Sequence, residues 1–328
     1  MRVELSVEAE RWPYKRPFRV SRGAEEALDV IVVTLRDAAG YCGRGEAAGV
    51  DYDGETVFSL RAQVEGLRAD VERGIDRAAL GAALPPGGAR NALDCALWDL
   101  EAKRRGLRAW QLAGMAAAKP LLTCVTLGLD SAEATAAGAQ EYRDWPLLKV
   151  KVDATRHIEV LRLVHASAPA ARLIVDPNQS WSCELLNELD AELATLGVVL
   201  IEQPVPRGED ASLRAYRGAI RLAADESLID RRSLAPLRDL YDVVNIKLDK
   251  SGGLTEALGV AGDARRLGLS VMVGCMAGTS LAMAPGMLVG QVAEFVDLDG
   301  PLLHSADREP AIAYARGWMQ LPLPELWG

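Results

Sequence analysis

The sequence lacks the patterns that mark nucleic-acid-binding, zinc-binding and disulfide-rich proteins. In its 328 residues no run of lysines and arginines reaches four, and the net charge of −9 offers no basic stripe for phosphate groups. The five cysteines are widely spread and form no C-x-x-C pair, which argues against zinc fingers and is typical of reduced thiols in a cytoplasm. We therefore expect a cytoplasmic protein with no nucleic-acid and no membrane partner.

Histidines and targeting signals are scarce as well. The three histidines, His157, His165 and His304, have no ligand spacing, and we expect none of them to be catalytic. Residues 3–8 alternate apolar and charged side chains, which predicts a strand rather than a signal peptide. The uncharged stretch 271–293 is long enough to span a bilayer, but its glycines and the lack of flanking basic residues favour a buried strand, loop and helix.

The first third of the sequence combines strand and helix patterns. Residues 29–35 and 41–46 have strand patterns joined by a turn at 37–40, whereas 56–73 and 89–105 have helical spacing. The Gly-Arg-Gly triplet in the second strand lacks the third glycine and the following helix of a nucleotide-binding loop, so it indicates a hairpin.

From residue 121 onward, a short apolar run that mostly ends in a polar or charged residue occurs eight times, each run before an amphipathic stretch. The runs follow one another with a period of about 25 residues, which is typical of one strand and one helix per repeat. This pattern predicts an α/β fold with parallel strands closed into a barrel. The runs are 121–126, 147–151, 173–176, 198–202, 221–225, 243–247, 271–275 and 294–299.

Three consecutive runs end in a carboxylate, at Asp176, Glu202 and Asp225. The carboxyl ends of barrel strands meet at the catalytic face, and neighbouring strands lie about 4.8 Å apart, so these side chains are expected within reach of one cation. Three oxygen ligands without histidine or cysteine favour Mg²⁺ over zinc. Without a cation the carboxylates would repel one another and raise each other's pKa.

Lysines flank the three carboxylate strands. Lys149 and Lys151 share one face of their strand, and Lys247 ends a strand on the other side of the barrel. Two adjacent ammonium groups disfavour the charged form, which can bring the pKa of one lysine to about 7 to 8, where it acts as a general base. Two facing lysines can remove a proton from one face of an α-carbon and return it on the other, while the metal holds the enediolate. Lys250 is expected to play a supporting role.

Five short motifs in order resemble those of the enolase superfamily, muconate-lactonizing subgroup, and the resemblance covers nearly the whole chain. The motifs are Lys-Val-Lys at 149–151, Asp-Pro-Asn at 176–178, Glu-Gln-Pro at 202–204, Ala-Asp-Glu-Ser at 224–227 and the nine residues 245–253. The resemblance implies Mg²⁺ on Asp176, Glu202 and Asp225, acid and base roles for Lys151 and Lys247, and a neighbouring role for Lys149.

The same resemblance implies a modified TIM barrel, (β/α)7β-like, with an α+β capping domain. We expect residues 1–118 to form the capping domain, residues 119–310 to form the catalytic barrel, and residues 311–328 to return to the cap.

The last strand run carries Asp297 and Asp299, and this Asp-x-Asp resembles the dipeptide epimerases of the family, where both carboxylates receive the substrate's α-ammonium group. Alternation places both side chains on one face, where two acidic groups suit a cationic ligand. Cys275 and Thr126 are expected to contact the substrate backbone. Arg22 resembles the residue that pairs with the glutamyl side chain in alanine-glutamate epimerases, and a guanidinium suits a carboxylate.

These residues predict an isomerase, namely a Mg²⁺-dependent epimerase that inverts the C-terminal residue of a dipeptide. The expected substrates are L-Ala-L-Glu and L-Ala-D-Glu of murein peptides. A homo-oligomer is possible. The alternative enzymes are an o-succinylbenzoate synthase or a cycloisomerase of the same superfamily, whose substrates carry no ammonium group. A non-catalytic small-molecule binding barrel is the alternative of another class, and the intact ligand and lysine set argues against it.

Overall fold

An antiparallel ribbon of two long strands begins the chain in this computed structural model, which describes residues 2–20, 23–155 and 157–328. The strands are β1 (Val3–Val20), β2 (Gly23–Asp37), β3 (Cys42–Ala47), β4 (Leu121–Leu122), β5 (Val125–Leu127), β6 (Leu147–Lys151), β7 (Arg172–Asp176), β8 (Val198–Glu202), β9 (Arg221–Ala224), β10 (Val243–Lys247), β11 (Ser270–Gly274), β12 (Phe295–Val296), β13 (Tyr314–Ala315) and β14 (Trp318–Met319). 

The helices lie between these strands. They are α1 (Val57–Gly66), α2 (Arg68–Arg73), α3 (Arg77–Ala83), α4 (Gly88–Arg105), α5 (Ala109–Leu112), α6 (Ala132–Glu141), α7 (His157–Ser167), α8 (Cys183–Thr195), α9 (Leu234–Leu237), α10 (Leu248–Ser251), α11 (Leu254–Arg266), α12 (Ser280–Gly290) and α13 (Gly300–Leu303), with 3₁₀ turns at Asp51–Asp53, Asp210–Ala215 and Arg231–Ser233.

The cap consists of the sheet β1-β2-β3 with α1 to α4 packed on it, as the strand and helix patterns of the first third predict. Ile31, Val33 and Leu35 alternate along β2, so all three side chains point to one face and are buried against Leu93 and Ala96 of α4. This cluster is the core of the cap.

The barrel sheet has the order β12-β11-β10-β9-β8-β7-β6-β5, and all of its strands run parallel, which confirms the predicted α/β class. Its two edges meet where Cys124 N–H donates to Val296 O at 2.9 Å. The prediction that residues 121–126 form a single strand of the barrel was wrong. The Thr123 hydroxyl accepts a hydrogen bond from Leu298 N–H at 3.0 Å and interrupts the ladder, so Leu121–Leu122 joins the small sheet of β13 and β14 instead.

One inward side chain from each strand segment of the barrel forms an apolar floor. The floor consists of Cys124, Leu147, Ile174, Leu200, Ala223, Val243, Met272 and Phe295, all of them buried. Because side chains alternate along a strand, the next inward position is two residues further on, closer to the carboxyl end. The side chains at those eight positions therefore lie directly on the apolar floor.

The uncharged stretch 271–293 contributes β11 and α12, and every residue of α12 except Ala282 is buried. This confirms the predicted buried strand, loop and helix. Over the described residues, no helix combines the length and the hydrophobicity needed to cross a membrane.

The seam between cap and barrel is held by buried carboxylates that accept backbone N–H groups across it. They are Asp249, bonded to Gly49 at 2.9 Å, Asp94, bonded to Thr255 at 2.8 Å, and Glu46, bonded to Thr279 at 2.8 Å. Arg90 adds a donor of the same kind, because its Nε bonds to the carbonyl oxygen of Gly252 at 2.9 Å. Each of these bonds has a main-chain partner.

The last residues lie against the cap helix α4. Gly328 N–H donates to Asp99 Oδ1 at 2.7 Å, and Trp327 Nε1 donates to the carbonyl oxygen of Cys95 at 3.1 Å. These contacts place Trp327 and Gly328 on the cap, whereas β13 and β14 pair with β4, so the division into a cap of 1–118 with 311–328 and a barrel of 119–310 stays a prediction.

Strand β3 packs closely on α4 through its two glycines. A Cβ at Gly45 would collide with the carbonyl oxygen of Ala92, and one at Gly43 would collide with that of Ala96. The Gly-Arg-Gly triplet thus lies inside strand β3 of the hairpin rather than in its turn, and its glycines allow the close approach of the helix backbone.

We expect Gly45→Ala to lower the free energy of unfolding by about 2 kcal/mol, because the strand or the helix must shift to make room for the methyl group. Urea unfolding monitored by circular dichroism measures the change. Gly81→Ala, in the exposed middle of α3 where a Cβ meets nothing within 4 Å, is the control. It should raise the stability by up to about 1 kcal/mol. Equal stability of the two variants would contradict the packing argument.

Candidate active site at the mouth of the barrel

The inward positions directly above the apolar floor are mostly polar. Each of these positions lies two residues after a residue of the apolar floor. They are Thr126, Lys149, Asp176, Glu202, Asp225, Asn245, Gly274 and Asp297. Six of these eight side chains are buried and carry a polar or charged group (all but Gly274 and the partly buried Thr126). The catalytic face of the barrel is therefore a layer of charges over an apolar floor.

Lys149 lies at the centre of this layer and is 2% exposed. Its Nζ lies 2.8 Å from Glu202 Oε2, 2.9 Å from Asp297 Oδ2 and 3.2 Å from Asp176 Oδ2. Burial alone would lower the pKa of Lys149, but the three carboxylates outweigh burial and raise it well above its ordinary value. At Lys149 the surrounding carboxylates therefore dominate over the neighbouring lysine.

Lys151 and Lys247 lie on either side of the carboxylate strands and both line the same cavity. Lys151 Nζ donates to Asp176 Oδ2 and to Asn178 Oδ1, both at 2.9 Å. Lys247 Nζ donates to Asp225 Oδ2 at 2.7 Å. Burial lowers the pKa of Lys247, but Asp225 together with Glu202 and Tyr52 raises it well above its ordinary value. Both ammonium groups are held in place by a carboxylate.

Lys250 supports Asp225 from below. Its Nζ donates to Asp225 Oδ1 at 2.6 Å and to the carbonyl oxygen of Asn245 at 3.2 Å, and its side chain is buried. Asp225 thus has Lys250 on one oxygen and Lys247 on the other. Although burial raises the pKa of Asp225, these lysines lower it well below its ordinary value.

The three carboxylates predicted to bind metal stand on adjacent strands, and each is paired with a lysine. Within residues 2–20, 23–155 and 157–328, no three His, Cys, Asp or Glu side chains are close enough together to hold an ion as they stand. Like charges repel, so each carboxylate turns to an ammonium group rather than to its neighbours. Glu202 Oε2 nevertheless accepts no hydrogen bond of normal geometry and is buried.

The charged side chains of the site fit a bound cation. The strands and loops of the barrel bring six carboxylates (Asp176, Glu202, Asp225, Glu226, Asp297 and Asp299) and four lysines (Lys149, Lys151, Lys247 and Lys250) to the site. Four carboxylates of the cap also line the cavity, namely Glu25, Asp29, Asp51 and Glu55. Burial and nearby carboxylates raise the pKa of Glu202 to about 8 and that of Asp299 to about 7. A divalent cation would balance the excess of negative charge, and hard carboxylate oxygens are the ligands that Mg²⁺ prefers.

Asp297 and Asp299 lie together at one end of the cavity. Thr126 N–H donates to Asp299 Oδ2 at 2.5 Å, and Thr126 Oγ1 lies 3.3 Å from Asp297 Oδ1. Burial first, and Asp297 second, raise the pKa of Asp299. Two buried carboxylates in one corner, one of them already paired with Lys149, form a site for a cationic group.

The cavity above these groups has a volume of about 450 Å³. The predicted substrate contacts Thr126 and Cys275 both line it, beside cap residues such as Tyr14, Tyr52 and Phe58. Arg22 lies outside the described residues.

Asn245 was not predicted as a site residue. Asn245 Nδ2 donates to Glu202 Oε1 at 2.8 Å, and a Cβ at Gly274 would lie 2.7 Å from Asn245 Oδ1. Gly274 therefore leaves the room that the Asn245 side chain occupies. The sequence could have indicated that Asn245 belongs to the site, because Asn245 is two residues before Lys247 and thus faces the same side of the strand.

Two family descriptions match the chain. Residues 2–114 match "Mandelate racemase / muconate lactonizing enzyme, N-terminal domain", and residues 131–322 match "Enolase C-terminal domain-like". The L-Ala-D/L-Glu epimerase of Escherichia coli is 40% identical over 97% of this chain and 99% of its own length. The N-acetyl-D-glutamate racemase of a Pseudoalteromonas species is 40% identical over 91% of this chain and 95% of its own length.

Solved structures share the whole fold. An enolase family member from Agrobacterium tumefaciens, described with bound sodium and L-Ala-L-Glu, has a TM-score of 0.96 and 43% identity over 99% of this chain and 100% of that one. The dipeptide epimerase of Methylococcus capsulatus, complexed with Mg and L-Arg-D-Lys, has a TM-score of 0.91 and 33% identity over 98% of both chains.

We expect Asn245→Ala to weaken Mg²⁺ binding at least about tenfold, because Glu202 loses the hydrogen bond that orients it. Isothermal titration calorimetry with Mg²⁺ measures the affinity. Asn187→Ala, which removes hydrogen bonds to Cys183 and Ala215 outside the cavity, is the control and should leave the affinity unchanged. Unaltered Mg²⁺ affinity in Asn245→Ala would show that this contact does not orient a ligand.

Proposed function

The chain belongs to the mandelate racemase / muconate lactonizing enzyme family of the enolase superfamily, and we propose that it is a Mg²⁺-dependent dipeptide epimerase acting on L-Ala-L-Glu and L-Ala-D-Glu. The observation that carries the proposal is one cavity with Lys151 and Lys247 on opposite sides and the Asp297–Asp299 pair at one end. The lysines suit proton transfer at an α-carbon, and the acidic pair suits a peptide N-terminus.

Lys151 and Lys247 are the acid and base of the proposed reaction. One lysine, as the neutral amine, removes the α-proton of the C-terminal residue from one face, and the other, as the ammonium group, gives a proton to the opposite face, which inverts the carbon. Before the substrate enters, the Nζ atom of each lysine is bonded to a carboxylate, which fixes its position. Lys149, held by three carboxylates, keeps its charge and contributes positive potential between the two lysines.

Asp176, Glu202 and Asp225 would hold the metal ion. Bound Mg²⁺ supplies positive charge beside the substrate carboxylate, where negative charge develops when the α-proton leaves. Asn245 and Lys250 orient Glu202 and Asp225 for this task.

The acidic pair distinguishes a dipeptide from the related N-acetylglutamate, the substrate implied by the name of the Pseudoalteromonas racemase. Both molecules present an acylated glutamate, but only the dipeptide carries an ammonium group on the acyl part. Asp299 is buried and has its pKa raised, so a cation placed beside it stabilises its ionised form. The site therefore favours the dipeptide.

We also infer that the reaction takes place in the cytoplasm, in the recycling of cell-wall peptides. The five cysteines are free, as expected of a reducing compartment, and an L-alanyl-glutamate dipeptide is a piece of murein peptide.

The enzyme should epimerise L-Ala-L-Glu in D₂O with Mg²⁺ and introduce deuterium at the glutamyl α-carbon, which ¹H NMR detects. Lys151→Ala and Lys247→Ala should each reduce epimerisation at least about a thousandfold, because each removes one acid or base. The exposed Lys119→Ala is the matched control and should retain activity. Full activity of either cavity variant would exclude the two-base mechanism, and no exchange with any dipeptide would exclude the function.

The value of kcat/KM for L-Ala-L-Glu should fall about tenfold per pH unit as the pH drops below about 7, because protonated Asp299 no longer attracts the substrate's ammonium group. A carboxyl group loses its charge as the pH falls, so the loss of activity lies on the acid side, and the raised pKa of Asp299 places it near pH 7. N-acetyl-L-glutamate should be turned over far more slowly and should lack this acid limb. Asp299→Asn should abolish the acid limb for the dipeptide. An unchanged profile in that variant would assign the titration to another group.

A further inference from the structure

A second cavity of about 230 Å³ lies beside the catalytic cavity, between the cap and α6 of the barrel. The two cavities share Thr126 and Leu303 as lining residues. The second cavity contains none of the lysines or carboxylates of the acid–base site. It therefore adjoins the catalytic cavity through the corner where the acidic pair lies.

Thr126 connects the second cavity with the acidic pair. Its N–H bonds to Asp299 and its hydroxyl lies 3.3 Å from Asp297, while it also forms part of the second cavity's wall. The electrostatic influence of Asp299 extends to Tyr142 on that wall, where it adds to burial and Glu141 in raising the tyrosine's pKa.

The N-terminal residue of a dipeptide carries its ammonium group and its side chain on the same carbon. When the ammonium group is held by Asp297 and Asp299, the side chain begins beside Thr126, which also lines the second cavity. The main cavity is then left to the peptide group and the C-terminal residue, whose α-carbon must reach Lys151 and Lys247.

We propose that the second cavity is the subsite for the N-terminal side chain and that it admits aliphatic side chains larger than the methyl group of alanine. This proposal rests on the proposed dipeptide epimerase function and extends its substrate class to dipeptides with N-terminal norvaline, norleucine, leucine or methionine.

The walls of the second cavity have the chemistry of an aliphatic subsite. Leu127, Leu303 and the ring of Tyr142 supply apolar surface. Gly138 leaves room in the second cavity, because a Cβ there would lie only 3.1 Å from Leu127 Cδ2. A methyl group fills little of this volume, and each further methylene buried against such walls adds hydrophobic binding energy.

The charged groups on the wall do not favour a charged side chain. Arg16 and Glu141 lie 3.7 Å apart and are both largely exposed. Lys15 and Asp130, also exposed, add one charge of each sign. Because the charges balance and lie in solvent, an uncharged aliphatic chain is the best match.

The test is the ratio of kcat/KM for L-Nle-L-Glu to that for L-Ala-L-Glu, measured by ¹H NMR with the Mg²⁺-loaded full chain. The wild type should prefer norleucine, by up to about fourfold for each added methylene that becomes buried. A wild type that prefers L-Ala-L-Glu tenfold or more would overturn the subsite while leaving the epimerase function standing. No epimerisation of either dipeptide would overturn the function, and the subsite with it.

Two variants on the same helix locate the effect. Ala134 is exposed and lines the second cavity, so Ala134→Phe should fill it from the solvent side. This variant should lower kcat/KM for L-Nle-L-Glu at least about tenfold and leave that for L-Ala-L-Glu within about twofold. Ala137→Phe, also exposed on α6 but outside the cavity, should change neither value. An Ala134→Phe enzyme with an unaltered ratio would place the side chain elsewhere.

Discussion

Buried charge must be paired with opposite charge, and the mouth of this barrel is organised by that requirement. Lys149 is surrounded by Asp176, Glu202 and Asp297, while Asp225 lies between Lys247 and Lys250. These pairs fix the positions of groups that would otherwise repel one another. Because carboxylates remain in excess, the same network leaves a place for cationic partners, which is what a metal-dependent enzyme of an ammonium-bearing substrate needs.

The alternation of side chains along the strands converts this requirement into a layered structure. Leu147, Lys149 and Lys151 all point inward from β6, at increasing height above the floor, and Val243, Asn245 and Lys247 do the same on β10. The lowest position is apolar, the middle one contacts Glu202 through Lys149 or Asn245, and the top one carries the proposed acid and base. A shift of one residue in either strand would turn these groups toward the helices.

The eight apolar runs predicted the barrel because their period and their polar ends are local properties of the sequence. The strand break at Thr123 could not be predicted, since it depends on a hydrogen bond to Leu298, far away in the chain. The raised pKa of Lys149 was missed for a related reason: its neighbour Lys151 is visible in the sequence, but the distant Asp297 and Glu202 decide its charge. The metal and lysine set could be proposed from the residues, whereas the second cavity depends on how α6 and the cap pack.

The seam between cap and barrel rests on bonds from Asp249, Asp94, Glu46 and Arg90 to main-chain atoms across it. Asp94 and Glu46 also accept hydrogen bonds from the hydroxyl groups of Thr255 and Thr279, so each of these carboxylates holds both the backbone and the side chain of its partner. Because a few positions hold the two parts together, the other residues of the seam can change during evolution without undocking them. Such a joint allows the selectivity of the cap to diverge quickly over a barrel whose chemistry stays the same.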